Sequence, residues 1–354
     1  MITGLKTCGV SGYAEIRRMF RYLFGLTVLA LNLFSCSTKN REGCEGVPEL
    51  KSRVSVEIIH LEKEIADIRT KQQCVDLFRG REILRDVFFS RSAYPDDSAF
   101  INTLYRRFTN PAFDTLSNET KKVFGDGAAL QKSFDDAFSY LRHYYPEARV
   151  PKVITVISGM ENDLFVSDSL VIVGLDFFLG PKARYRPNMY EYMLQRYQKD
   201  YIIPAVMLLY GISDKYNRVN TEDKTALADM IAYGKAYTFT RFMVPCIPDS
   251  TLFGYTAKEA EGAHANEDII WEKLVGNQVL YETSHLIKQR YIGERPNTGE
   301  ISANCPGRIG MWVGMRMTDK YLQETGKNLQ GLMNETDAGK IFKESRYRPK
   351  RKPS

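Results

Sequence analysis

The chain has 354 residues, 44% hydrophobic and 12% aromatic, with 49 basic against 43 acidic side chains. That composition can build a substantial core and excludes a disordered chain, and the length suits one large domain or two ordinary ones. The formal charge of +6 is inflated by the N-terminal segment and by the closing Arg346-Tyr-Arg-Pro-Lys-Arg-Lys, so no strong basic face remains and no nucleic-acid partner is expected.

In chain order the first feature is the cationic group Arg17, Arg18 and Arg21, followed by an apolar run from about Leu23 to Phe34 and then Ser35-Cys36. A basic segment, an apolar segment too short to span a bilayer and a small residue before the cut form a secretory signal, not a transmembrane helix. With Leu33 and Ser35 before Cys36, the segment also resembles a bacterial lipobox, in which the cysteine thiol receives a diacylglyceryl group. The alternative is an ordinary signal peptide with an incidental cysteine. Glu15 and several polar groups precede the cations, so Met19 is a more natural start than Met1. Starting there also removes the twin-arginine hint of Arg17-Arg18. The expected organisation is a signal over 1–35, a lipidated tether over 36–51, one domain over 52–345 and a solvated basic tail over 346–354.

After the tether, Ser52 to His60 alternates enough for a strand, with Leu61 to Ile68 continuing as helix. From Asp76 to Tyr145 the spacing predicts several short helices. The clearest is Leu130 to Tyr145, with Leu130, Phe134, Phe138 and Leu141 on one stripe and Pro146 as its stop. Three β-branched runs, Val153 to Ile157, Leu164 to Val166 and Leu170 to Val173, predict a small antiparallel meander. Helix returns at Tyr190 to Tyr197, Tyr201 to Tyr210, Glu222 to Met243, about Ala263 to Tyr291, Gly307 to Glu324, Asn328 to Met333 and Asp337 to Phe342. The fold class is α+β: a mostly helical single large domain with a small antiparallel sheet.

Reaction motifs are missing. The sequence has no GxSxG elbow, Walker loop, GxGxxG after a strand or HExxH, so no catalytic residue and no cofactor are expected. Of the four histidines, His60 and His143 lack ligand-spaced partners and read as structural or surface groups. Glu261-Gly-Ala-His264 and Glu282-Thr-Ser-His285 are both Glu-x-x-His, the pair that di-iron bundles use. On one continuous helix, however, 21 residues at about 1.5 Å each separate them by roughly 31 Å. Only a break at Gly276 rescues the site. Beyond Cys8 and Cys36, the remaining Cys44, Cys74, Cys246 and Cys305 are compatible with one disulfide or with buried free thiols.

Five segments read together are similar to one family: Tyr145-Pro-Glu-Ala-Arg-Val-Pro-Lys-Val-Ile-Thr-Val-Ile-Ser158, Leu170-Val-Ile-Val-Gly-Leu-Asp-Phe-Phe-Leu-Gly180, Asp229-Met-Ile-Ala-Tyr-Gly-Lys235, Cys305-Pro-Gly-Arg-Ile-Gly-Met-Trp-Val-Gly314 and Ser345-Arg-Tyr-Arg-Pro349. Their ordered set resembles GldB, the gliding-motility-associated lipoprotein family of the Bacteroidetes, from about Val54 to Pro349. The resemblance implies a non-catalytic envelope lipoprotein in a gliding-motility or type IX secretion related assembly. Its implied partners are other envelope proteins, and the membrane through its N-terminal lipid. Ser37-Thr-Lys-Asn in place of an acidic cluster, by the sorting rules of that phylum, implies a periplasm-facing anchor.

A fainter similarity is to predicted zinc-dependent proteases, whose long helix carries HExxH. Here the matching helix has Ile231, Ala232 and Lys235 where two ligands and a base belong, and these cannot hold zinc. The alternative function is therefore a degenerate or unrecognised metallopeptidase-like hydrolase. Lys235, beside a retained groove, and Arg308, at the start of the Gly-rich helix, are the candidate binding face. For Arg308 a structural role is favoured over anion binding, because a cation opposes the dipole at a helix N-terminus unless it is paired.

Overall fold

The computed structural model describes residues 47–350, which belong to one compact unit. Cys36, the signal and most of the tether lie outside them. The elements in order are β1 (Ile58–His60), α1 (Leu61–Ala66), α2 (Lys71–Phe78), α3 (Asp97–Phe108), α4 (Pro111–Phe124), α5 (Ala128–Tyr144), β2 (Lys152–Val156), β3 (Leu164–Val166) and β4 (Leu170–Gly174). The helical half follows: α6 (Glu191–Leu194), α7 (Ile202–Ile212), α8 (Ala226–Met243), α9 (Asp249–Phe253), α10 (Ala257–Ala265), α11 (Glu267–Gly276), α12 (His285–Ile292), α13 (Ile309–Thr325), α14 (Leu329–Asn334) and α15 (Ala338–Ser345). The fold is mostly helical α+β, as the periodicity predicts.

The sheet is mixed, which corrects the antiparallel meander. Its order is β1-β2-β4-β3, with β1 parallel to β2, β2 parallel to β4, and β3 antiparallel to β4. The physical reason lies in the loop after β2. Asp176, fully buried, accepts hydrogen bonds from the Ser158 N–H at 2.9 Å and the Met160 N–H at 2.7 Å. That pins the loop and carries the chain to the far edge as β3. The turn at Ser167 to Ser169 then brings β4 back between β3 and β2, so β2 and β4 run the same way. Burial pushes the Asp176 carboxyl above its usual range, against the pull of those backbone donors.

Helices cover both faces of the sheet. Val153, Val171 and Val173 pack with Phe134 and Phe138 of α5 and with Val206 and Met207 of α7. Ile154, Val156 and Ile172 pack with Phe100, Leu104 and Phe108 of α3. Burial on both faces explains why these strands read as apolar runs without alternation. The α5 stripe Leu130, Phe134, Phe138 and Leu141 is buried as expected.

The predicted N-terminal strand shrinks to three residues. Its first half leans on α5 instead of the sheet: the Val54 N–H donates to Ser139 Oγ at 2.9 Å, and the Val56 N–H to Asp135 Oδ1 at 2.7 Å.

Helix α8 is the hub of the second half, and it crosses α13 backbone to backbone. A Cβ added at Gly314 would lie 1.8 Å from the Met230 carbonyl oxygen, and one at Gly234 would lie 2.3 Å from the Gly314 carbonyl carbon. Only glycine permits that approach. Trp312 and Met315 are buried in the same core, as the α13 periodicity predicts. The helix expected from Ala263 to Tyr291 is instead α10, α11, a short 3-10 turn and α12, broken at Asn266, after Gly276 and at Glu282 to Ser284. The tail is shorter than expected, since Tyr347 is buried and its hydroxyl donates to Glu267 Oε1 at 2.8 Å. Cys246 is disulfide-bonded, whereas Cys74 and Cys305 are free and buried. Among the described residues no helix is long and apolar enough to cross a membrane.

Candidate functional site

Thr225 caps the start of α8 by accepting from the Ala228 N–H, and one helical turn further on lies the segment Asp229 to Lys235. Lys235 does not form a binding face, which corrects that expectation. It is 1% exposed, and its ammonium donates to the Arg218 carbonyl at 2.6 Å and the Glu335 carbonyl at 2.8 Å. Burial lowers its pKa to about 8, with the charge of Glu335 opposing the shift. The side chain thus ties α8 to two loops far apart in sequence. Beside it, Ile231 is buried in the helical core, and the Ala232 carbonyl accepts from Asn217 Nδ2 at 2.9 Å.

Arg308 occupies a left-handed backbone position, φ 59°, directly before α13. Its guanidinium donates to the Phe253 carbonyl and, at 3.3 Å, to the Tyr237 hydroxyl, and its Nε lies 3.7 Å from Glu294 Oε2. The Tyr255 hydroxyl donates to the Gly307 carbonyl at 2.8 Å, closing the entry to the helix. These partners compensate a cation at a helix N-terminus. A pocket of about 140 Å³ beside it is bordered by Glu191, Glu259, Glu294 and Arg295. Lys235 and Arg308 therefore serve two separate clamps on α8 and are not brought together.

A second site lies where the parallel strands β1 and β2 end. His60, the last residue of β1, is in register with Thr155 of β2. Its Nδ1 hydrogen-bonds Glu62 Oε1 at 2.9 Å, and the Thr155 hydroxyl donates to Glu62 Oε2 at 2.5 Å. These groups border a cleft of about 420 Å³ together with Lys63, Asp67, Lys121 and Phe124. Gly127, at φ 91°, makes room for the imidazole, since a Cβ there would stand 2.8 Å from its Cε1. The sequence hides this group because its members are separated by up to 95 residues. The only local signal is a histidine and a glutamate two apart at a strand end.

A family model described as the gliding motility protein GldB matches residues 44–349. The chain belongs to the GldB family. Neither a curated protein nor a solved structure matches it. The match spans both halves of this GldB protein and includes Tyr347, which the sequence alone assigns to the tail.

The Glu-x-x-His pairs of this GldB chain serve other purposes. His264 Nε2 hydrogen-bonds Asp249 Oδ2 at 2.9 Å, where the Trp312 indole N–H also donates at 3.2 Å. Glu282 accepts from the Thr283 and Ser284 N–H groups ahead of α12. The helix does break after Gly276, yet among the described residues no group of three or more His, Cys, Asp or Glu is placed to hold a metal ion. Nearby, Arg241 pairs with the largely covered Asp319 at 2.9 Å and Arg316 with Glu267 at 2.9 Å, joining α8, α11 and α13. Burial raises the Asp319 carboxyl above its usual range, against the pull of Arg241 and Arg316.

Proposed function

We propose that this GldB protein is a non-catalytic cell-envelope lipoprotein of a gliding-motility or type IX secretion related assembly. In this reading an acylated Cys36 holds it to the membrane and its domain faces the periplasm. The family match over residues 44–349 carries the proposal. The basic, apolar, small-residue and cysteine order before residue 37 supports the anchor, and Ser37-Thr-Lys-Asn supports the orientation. The state of α8 supports a non-catalytic role. Positions 231, 232 and 235, where a zinc protease would place ligands and base, hold an apolar group, a methyl and an ammonium committed to two carbonyls.

Cys36→Ala tests the anchor. The wild type should fractionate with membranes and carry lipid on the mature N-terminus by mass spectrometry, while the variant should become soluble. A diacylglyceryl thiol supplies at least two chains at about 0.8 kcal/mol per buried CH₂, so the shift should be complete. Unchanged membrane association without lipid refutes the anchor. Crosslinking in intact envelopes should recover other envelope proteins with the wild type and fewer with Cys36→Ala. Recovery of none refutes the assembly role.

A further inference from the structure

We propose that the cleft at the ends of β1 and β2 is a binding site for a small organic anion, a carboxylate with an apolar body, which goes beyond the anchoring and assembly role above. Size comes first. At about 420 Å³ the cleft falls within the range that takes small molecules. Its floor is apolar, with Phe124, Leu130, Ile157 and Leu175.

Charge decides the class. Lys63 and Lys121 are exposed at the rim, and among the described residues neither pairs with a carboxylate, while Asp67 is the opposing acid. In the helical half, by contrast, the cations Arg241, Arg308 and Arg316 are committed to internal partners. Glu62 is held by His60 and Thr155 and pairs with neither rim lysine.

Orientation completes the site. Glu62 takes the Nδ1 side of the imidazole, which leaves Nε2 as the ring nitrogen for a ligand. A ring set between two carboxylates has one nitrogen to offer each, Nδ1 to Glu62 and Nε2 to the ligand. Gly127 keeps the space that this ring position needs. One carboxylate end between His60, Lys63 and Lys121, with its body over Phe124 and Leu130, satisfies every one of these features.

The test is calorimetric titration of the full chain with 4-phenylbutyrate, with 4-phenyl-1-butanol as the uncharged counterpart and inorganic phosphate as charge without an apolar body. Saturable binding of one equivalent of phenylbutyrate is expected. Loss of one charge-assisted contact should weaken it about tenfold, both in Lys121→Glu and in His60→Gln. The alcohol and phosphate should each bind at least about tenfold more weakly. Lys121 is an exposed side chain outside the core, so this variant keeps the fold, checked by circular dichroism, whatever His60→Gln does. The proposal is overturned by absence of saturable binding at millimolar concentration, by equal affinity for the alcohol or for phosphate, or by unchanged affinity in Lys121→Glu.

Discussion

The helical half and the cleft at the strand ends use charge in opposite ways. In the helical half, buried or partly buried cations are tied to named partners: Lys235 to two carbonyls, Arg308 to Phe253 and Tyr237, Arg241 to Asp319, and Arg316 to Glu267. At the strand ends of the sheet half, Lys63 and Lys121 border an open cleft and, among the described residues, have no carboxylate partner. A cation held inside is costly to strip of its partners, whereas one left at a rim contributes little to stability. The cations of the helical core are thus committed to packing, whereas the two lysines at the cleft rim are not.

The sharpest way to break the contrast is at the helix crossing. Gly314→Val would set a side chain against the Met230 carbonyl and force α8 and α13 apart, and we expect a loss of about 3 kcal/mol or more in urea unfolding. Arg308→Ala should come next, at about 2 kcal/mol, because it strips the Phe253 carbonyl and the Tyr237 hydroxyl of a charged donor. Unchanged thermal stability in Arg308→Ala would move this residue from the packing class to the recognition class.

Lys235 gives a pH signature. Its folded pKa of about 8 lies below the roughly 10.4 of an unfolded lysine. Below pH 8 both states hold the proton, and the cost of burying the charge is fully present. As pH rises from about 8 towards 10.4 the folded state sheds the proton first, so the unfolded state binds more protons and stability rises. The wild type should therefore gain stability over that window relative to Lys235→Met, whose profile lacks this component. Parallel profiles for the two proteins would show that the ammonium is not held as described. The smallest effect is expected at the cleft, where Lys63→Ala and Lys121→Ala should each change stability by less than about 0.5 kcal/mol. A larger loss would mean that the rim lysines are structural after all.

Much of the architecture was legible in the sequence wherever one element carried its own signal. The α5 stripe announced itself by a 3.6-residue period and a terminal proline, and α13 by apolar residues that include Trp312 and Met315. Strand direction was not legible. Whether β4 runs with or against β2 depends on a loop pinned by Asp176, and no local propensity encodes that. Continuity between Ala263 and Tyr291 was overestimated because neither Asn266 nor Gly276 is a strong breaker, and the backbone breaks near both. Lys235 misled for a related reason. A lysine on a helix reads as solvent-facing, and only two carbonyls from distant loops make its burial affordable. The cleft needed three dimensions, since His60 meets Thr155 only through pairing of β1 with β2.

That pairing also sets an order of events. Ile58 has Val153 as its strand partner, 95 residues later in the chain. A chain delivered N-terminus first across the membrane leaves β1 unpartnered until those residues have followed it. Helices α1 to α5 lie wholly within that interval and close their backbone hydrogen bonds locally, so they are the units able to form first. Strand β1 would then close a long loop in a late, slow step, with its apolar edge open until β2 arrives. Slowing delivery of the segment between α5 and β2 should accordingly lengthen the time over which this chain is most prone to aggregate.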